Sequence, residues 1–139
     1  MKKIFLLRHA EAVFKSESGG DSARALTAYG KRQAADAARD AKSRHLAFDA
    51  ILSSPFLRAS QTAEIFADAF EMRDRLFFEP LLACGCSYAD MKKLIEIFPD
   101  AQTILCVGHE PDFGVIAAAA LGLARIQPLM KAQLVEIAI

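Results

Sequence analysis

The sequence predicts an α/β fold, a three-layer α/β/α sandwich around a mostly parallel central sheet. Short apolar runs of strand length alternate with longer stretches whose apolar residues recur at helical spacing, the pattern of strands joined by helical crossovers. Such a sheet is covered by helices on both faces. No internal repeat, low-complexity tract or Pro/Gly/Ser-rich linker interrupts the 139 residues, so 1–139 reads as a single domain.

The run Ile4-Phe5-Leu6-Leu7 is the first strand, and Arg8 ends it. Residues 13–25 form a polar loop with Ser16, Ser18, Gly19, Gly20, Asp21 and Ser22. Leu26-Thr27 opens a helix in which Thr27 is the N-cap, and Ala34, Ala37, Ala38 and Ala41 supply a packing face of small residues. A second strand over 48–53 is broken by Ser54-Pro55. The helix that follows, over 58–70, places Ala59, Thr62, Ala63, Phe66 and Phe70 at helical spacing. Residues 76–82 read as extended and loop-like. Met91, Leu94, Ile95 and Phe98 mark a helix over 88–98 that Pro99 stops. A third strand over 103–107 runs into Gly108-His109. The next helix starts at Pro111 or Asp112 and reaches Leu121, with proline in a first turn where a missing N–H costs nothing. Residues 134–139 close the chain as a strand.

Composition narrows the function classes. Lys+Arg and Asp+Glu both number 17, and this zero net charge argues against bulk attraction to nucleic acid or to an anionic membrane. It leaves room for a local positive pocket. Met1-Lys2-Lys3 before an apolar run looks like the start of a signal peptide, but four apolar residues are too few for its hydrophobic region. No stretch approaches the length of a membrane span, and the apolar run 115–123 fits a buried helix. A cytoplasmic location is expected. Three cysteines, an odd number, make no disulfide framework. Cys84-Gly85-Cys86 has no second pair to complete a metal site and reads as small thiols in a reducing compartment.

Three strand ends carry the chemistry. The first delivers Arg8 and His9, the second Ser53-Ser54-Pro55-Phe56-Leu57-Arg58, and the third Gly108-His109. Right-handed crossovers bring the carboxyl ends of parallel strands to one edge of the sheet, where such folds bind their ligands. Two guanidinium forks and two imidazoles converging there suit a phosphoryl group, whose equatorial oxygens the arginines neutralise while imidazoles attack and stabilise charge. Each residue also has a plain structural reading. Arg8 pairs with Glu11; His9 is a hydrogen-bonded histidine; His109 is a loop residue after a close-packed Gly108. Arg58 sits in the first turn of a helix, where a cation opposes the helix dipole unless an anion lies beside it. Four such coincidences favour the joint reading of a phosphate pocket.

A metal centre fits less well. His109-Glu110-Pro111-Asp112-Phe113 begins like a zinc signature but has Phe113 where the second histidine belongs. Two histidines with Asp112 would hold a cation only against the repulsion of two arginines. His45, at the end of the first helix, reads as a partner for the helix dipole.

At these residues the chain resembles the histidine phosphatase superfamily, and most closely its small SixA-type phosphohistidine phosphatases. The matching pieces are Leu7-Arg8-His9-Ala10-Glu11-Ala12, the segment Arg24-Ala25-Leu26-Thr27-Ala28-Tyr29-Gly30 with Gln33-Ala34, the segment Ser53-Ser54-Pro55-Phe56-Leu57-Arg58 with Ala59-Ser60-Gln61-Thr62-Ala63, and Val107-Gly108-His109-Glu110-Pro111. They occur in family order over residues 4–113. The resemblance implies that His9 is the nucleophile, forming a phosphohistidine intermediate, and that Arg8, Arg58 and His109 complete the phosphate pocket, with Arg24 as a further candidate. The chain departs from the superfamily in two places. Its usual Arg-His-Gly reads Arg-His-Ala here, and its carboxylic proton donor has only Glu79, at a different offset, as a counterpart.

The expected activity is that of a metal-independent phosphatase without a cofactor, acting on a phosphohistidine protein and so placed in signal transduction. Phosphohistidine expels an easily protonated imidazole, whereas an alkyl phosphate needs a general acid worth about a hundredfold or more. A site poor in acids therefore matches P–N cleavage. The alternatives are a phosphatase or mutase for small sugar or nucleotide phosphates, and a phosphate- or phosphoprotein-binding module without catalysis. A monomer that binds neither nucleic acid nor membrane is expected.

Overall fold

The computed structural model describes residues 1–139. Strands β1 (Lys3–Arg8), β2 (Ala50–Ser53), β3 (Leu76–Phe78), β4 (Thr103–Gly108) and β5 (Leu134–Ala138) form one sheet in the order β3-β2-β4-β1-β5. Strands β1 to β4 run parallel, and β5 pairs antiparallel on the outer edge of β1. The register sets Arg8 opposite Gly108 and Ser53 opposite Val107, so the carboxyl ends of β1, β4 and β2 lie level.

Helices α1 (Ala28–Ser43) and α2 (Leu57–Ala69) cover one face, and α3 (Tyr88–Glu96) and α4 (Asp112–Leu121) cover the other. Successive side chains of a strand point to opposite faces. Ile4 and Leu6 therefore pack with Met91, Leu94, Phe113 and Ile116, while Phe5 and Leu7 pack with Ala38, Ala41, Ala63 and Phe66. This two-sided burial explains why β1 is apolar at four consecutive positions.

Local chemistry sets the element ends. The Thr27 hydroxyl accepts the Gly30 N–H at 2.9 Å and donates to Oε2 of Glu11 at 2.7 Å, capping α1 and tying it to the loop after β1. A Cβ on Gly30 would lie 2.0 Å from the Glu11 carbonyl oxygen, so only glycine permits this approach. Ser87 and Asp90 form a reciprocal capping box at the start of α3.

Two elements differ from the sequence-based reading. Residues 76–82, expected to be extended and loop-like, divide into the three-residue strand β3 and a 3-10 turn at Pro80–Leu82. So short a run becomes a strand by pairing with β2, and it carries no periodicity of its own. Helix α4 starts at Asp112, one of the two expected starts, and Pro111 is its N-cap, one position outside the first turn. No helix is long and apolar enough to cross a membrane.

Candidate active site

The level strand ends assemble the site. The backbone N–H of His9 donates to the Gly108 carbonyl at 3.1 Å, and that of Ser54 donates to Val107 at 2.9 Å. These bonds carry the ladder one residue past each strand and fix His9, Ser54 and His109 side by side. His9, Arg58 and His109 are 8%, 5% and 2% exposed, an unusual depth for three groups able to carry charge.

The ring of His9 is held from behind. Its Nδ1 lies 2.7 Å from the carbonyl oxygen of Ala10, which can only accept, so Nδ1 carries the proton and Nε2 keeps its lone pair. Arg58 donates Nε–H to that lone pair at 3.3 Å. Burial, with lesser help from the charges of Arg58, Arg8 and Arg24, lowers the His9 pKa to about 4 against the pull of the Ala10 carbonyl. The imidazole is thus neutral near pH 7 and carries its free electron pair at Nε2. Ala10 is fully buried against Leu26 and Ala34, which shows how its extra methyl is accommodated, and its N–H donates to Thr62 Oγ1 at 3.1 Å.

Arg58 projects from the first turn of α2 and is clasped by the loop after β1. Its NH1 donates to the Asp21 carbonyl at 2.8 Å and its NH2 to Asp21 Oδ2 at 3.2 Å. The guanidinium also lies 5.1 Å from the centre of the Phe56 ring. The cation that opposes the helix dipole therefore has an anion beside it, supplied by the protein itself.

His109 follows β4. Its Nε2 shares a hydrogen bond of 2.8 Å with Ser54 Oγ, and Phe56 meets its ring edge-on at 5.1 Å. The same Ser54 hydroxyl accepts the Phe56 N–H at 3.1 Å, coupling this histidine to the start of α2. Burial, then the positive charges of Arg58 and of His9 when protonated, lowers the His109 pKa to about 3. Arg8 donates NH1–H to the Leu129 carbonyl at 2.9 Å. Arg8 Nε and His109 Nδ1 are buried without a hydrogen-bond partner, so both have capacity for the oxygens of an anion.

Arg8, His9, Arg58 and His109 thus lie together at the level strand ends. Arg24 lies at the rim, where its Nε–H donates to the Val13 carbonyl at 2.7 Å and its NH1 meets Asp21 Oδ1 at 2.9 Å. Glu79 follows β3 at the same edge of the sheet; its N–H donates to the Ser53 carbonyl at 2.8 Å, and its carboxylate bonds to none of the four. Glu11 is bonded to Thr27 and forms no ion pair with Arg8. Asp112 accepts from the N–H groups of Gly85 at 2.7 Å and Cys86 at 3.1 Å, so it binds the loop before α3. Sequence reasoning did not single out Asp21 or Ser54, although Asp21 precedes Arg24 by three residues and Ser54 lies in the Ser-Ser-Pro break.

The sequence profile of the histidine phosphatase superfamily (branch 1) matches residues 4–79, more than half of the chain. The chain belongs to this superfamily. It is 33% identical over 130 residues to the phosphohistidine phosphatase SixA homolog of Haemophilus influenzae, covering 86% of this chain and 77% of that one. It is 30% identical over 123 residues to the phosphohistidine phosphatase SixA of Escherichia coli, covering 84% and 72%. A structure of the protein histidine phosphatase SixA complexed with tungstate superposes with a TM-score of 0.85 at 23% identity, over 99% of this chain and 88% of that one. Among histidine phosphatases the chain is of SixA type, and its reaction class is phosphoryl hydrolysis. The α/β/α sandwich is the fold it shares with them.

Proposed function

We propose that this protein is a phosphohistidine phosphatase that dephosphorylates proteins through a phosphohistidine intermediate on His9. The observation that carries this reading is that no carboxylic acid is hydrogen-bonded to Arg8, His9 or His109. Asp21 bonds Arg58, and a hydrogen bond from Arg24 together with the Arg58 charge holds that carboxyl below the ordinary carboxylate range, as an anion. The buried Glu110 carboxyl beside His109 bonds none of the four. An alkoxide leaving group needs a donor that such a site lacks, whereas an imidazole takes up its proton readily and departs as a neutral ring. The two relatives named as phosphohistidine phosphatases support the same substrate class.

In the first step the substrate ring takes a proton from solvent on its free nitrogen, Nε2 of His9 attacks phosphorus in line, and the P–N bond breaks so that the ring leaves as neutral imidazole. Arg8 and Arg58 neutralise the equatorial oxygens, and His109, with Nδ1 unpartnered, stabilises the transferring group. Water then attacks the phosphohistidine and releases phosphate, returning His9 to its neutral form. The deciding experiment compares hydrolysis of a phosphohistidine protein with that of a panel of sugar phosphates, using His9→Ala as the control. A kcat/KM at least about a hundredfold higher for the protein is expected. Preference for a sugar phosphate would replace this reading with that of a small-molecule phosphatase.

A further inference from the structure

We propose that Asp21 is a positioning residue of this site: its carboxylate and its carbonyl grip the far end of Arg58, so that the edge carrying Nε–H faces His9 and the incoming phosphoryl group. The proposal rests on the phosphatase reading above. A guanidinium offers its five N–H donors in one rigid plane, with one pair of donors at its end and another along its Nε side. Asp21 takes the end pair, NH1 through its carbonyl oxygen at 2.8 Å and NH2 through Oδ2 at 3.2 Å. The side pair is left toward the nucleophile: Nε–H meets His9 Nε2 at 3.3 Å, and the only other partner of NH2 is the Cys84 thiol at 3.8 Å. A phosphoryl group arriving at Nε2 of His9 therefore meets the free edge of the fork. Apart from that long Cys84 contact, Asp21 alone holds the end of this side chain by hydrogen bonds.

Asp21 is itself braced. Arg24 holds its Oδ1 at 2.9 Å and anchors to the Val13 carbonyl at 2.7 Å, and the Ala12–Leu26 bridge closes the base of the loop. Asp21 starts the 3-10 turn Asp21–Ala23, directly after Gly19 and Gly20, whose φ values of 82° and 73° turn the chain over the strand ends. Val13, Arg24, Asp21, Arg58 and His9 thus form one line of contacts, and Arg24 acts on the phosphate pocket through Asp21. The opposite role, an internal carboxylate competing with phosphate for Arg58, is disfavoured because Asp21 occupies the end of the fork that faces away from His9.

The test measures turnover of p-nitrophenyl phosphate, whose leaving group needs no proton donor, and binding of inorganic phosphate by calorimetry. The proteins are the wild type, D21A, D21N, R58A and D21A/R58A, with circular dichroism as a check on folding. Positioning predicts that D21A lowers kcat about tenfold while KM and phosphate affinity change by less than about threefold. D21N stays within about threefold of wild type, because its amide oxygen still accepts from NH2. In the R58A background, adding D21A causes no further loss. A rise in kcat/KM or in phosphate affinity for D21A would establish competition and overturn the proposal. Equal losses in D21A and D21N, or a D21A loss that persists without Arg58, would overturn it as well. If the wild type neither binds phosphate nor turns over, the phosphatase reading fails and the proposal with it; an active wild type with a silent D21A defeats the positioning role alone.

Discussion

The imidazoles of His9 and His109 lie with their centroids 5.5 Å apart and their planes inclined at 59°, and the same surroundings deny both a second proton. Burial is the main cause for each, and Arg58 adds positive charge beside both. Two neutral rings next to two guanidinium groups make a site whose positive charge is concentrated in the arginines. The imidazoles keep electron pairs available, which a nucleophile requires and a purely electrostatic anion trap does not.

This neutrality makes stability depend on pH. Both folded pKa values, about 4 for His9 and about 3 for His109, lie below the ordinary 6.5, so between them and 6.5 the unfolded chain binds more protons than the folded one. The contribution is complete above pH 6.5 and is lost as pH falls through this window, at up to about 1.4 kcal/mol per pH unit for each histidine. The urea midpoint should therefore drop between pH 7.5 and pH 5, and the drop should shrink in His9→Ala/His109→Ala. The lowered carboxylates titrate at more acidic pH, and Glu110, whose carboxyl burial pushes up, acts in the opposite sense, so the comparison with the double variant is what assigns the drop to the histidines. Identical drops in both proteins would refute the assignment.

Removing the nucleophile should separate chemistry from fold. His9→Ala takes away Nε2 and a ring held by one carbonyl and one arginine, and it leaves the apolar clusters on both faces of the sheet intact. Its turnover should fall by at least about a thousandfold, with the circular dichroism spectrum unchanged. The wild type, quenched in base during turnover, should carry a phosphoryl label that the variant lacks. Undiminished activity in the variant would end the covalent mechanism.

Ser54→Ala tests the support behind the second histidine. The hydroxyl meets His109 Nε2 at 2.8 Å and accepts the Phe56 N–H at 3.1 Å, so its loss leaves two buried groups short of a partner. Stability should fall by about 1–3 kcal/mol. A kcat loss of about tenfold with little change in KM would mark a reoriented His109. A stability loss with kcat unchanged would show that Ser54 serves the fold alone.

The parts of the site legible in sequence are those the backbone delivers locally. Arg8-His9, Arg58 and Gly108-His109 each follow an apolar run directly, and parallel crossovers alone bring their strand ends together. The parts that sequence leaves hidden come from distant loops. The Arg8 partner, the Leu129 carbonyl, is 121 positions away and exposes only backbone chemistry that any residue type would offer. Asp21 reaches Arg58 across 37 positions from a polar loop without periodicity, where a gripping carboxylate and a solvated one look alike. Glu79 is reached only through its offset from a family pattern, and the three-residue strand before it has no periodicity to show where its side chain lies.

Gly108 offers a test of close packing at the site. A Cβ there would come within 2.6 Å of the Phe113 ring, under the first turn of α4. Gly108→Ala should cost about 1–3 kcal/mol through overpacking, and Phe113→Leu in the same chain should recover part of that loss. Chemical denaturation of the two single variants and the double variant measures both. Additive losses would mean that the strain lies elsewhere than at this contact.

Glu79 decides between P–N and P–O chemistry. Its backbone N–H binds the end of β2 at the Ser53 carbonyl, while its carboxylate makes no hydrogen bond to the pocket. A general acid contributes about a hundredfold or more when the leaving group is an alkoxide and little when it is an imidazole. Glu79→Gln should therefore leave hydrolysis of a phosphohistidine protein within about twofold of wild type, because that leaving group does not depend on an enzymic donor. Alkyl phosphates should be poor substrates for both proteins. If the wild type hydrolyses an alkyl phosphate efficiently and Glu79→Gln loses about a hundredfold on it, Glu79 is the donor and the substrate is a phosphoester.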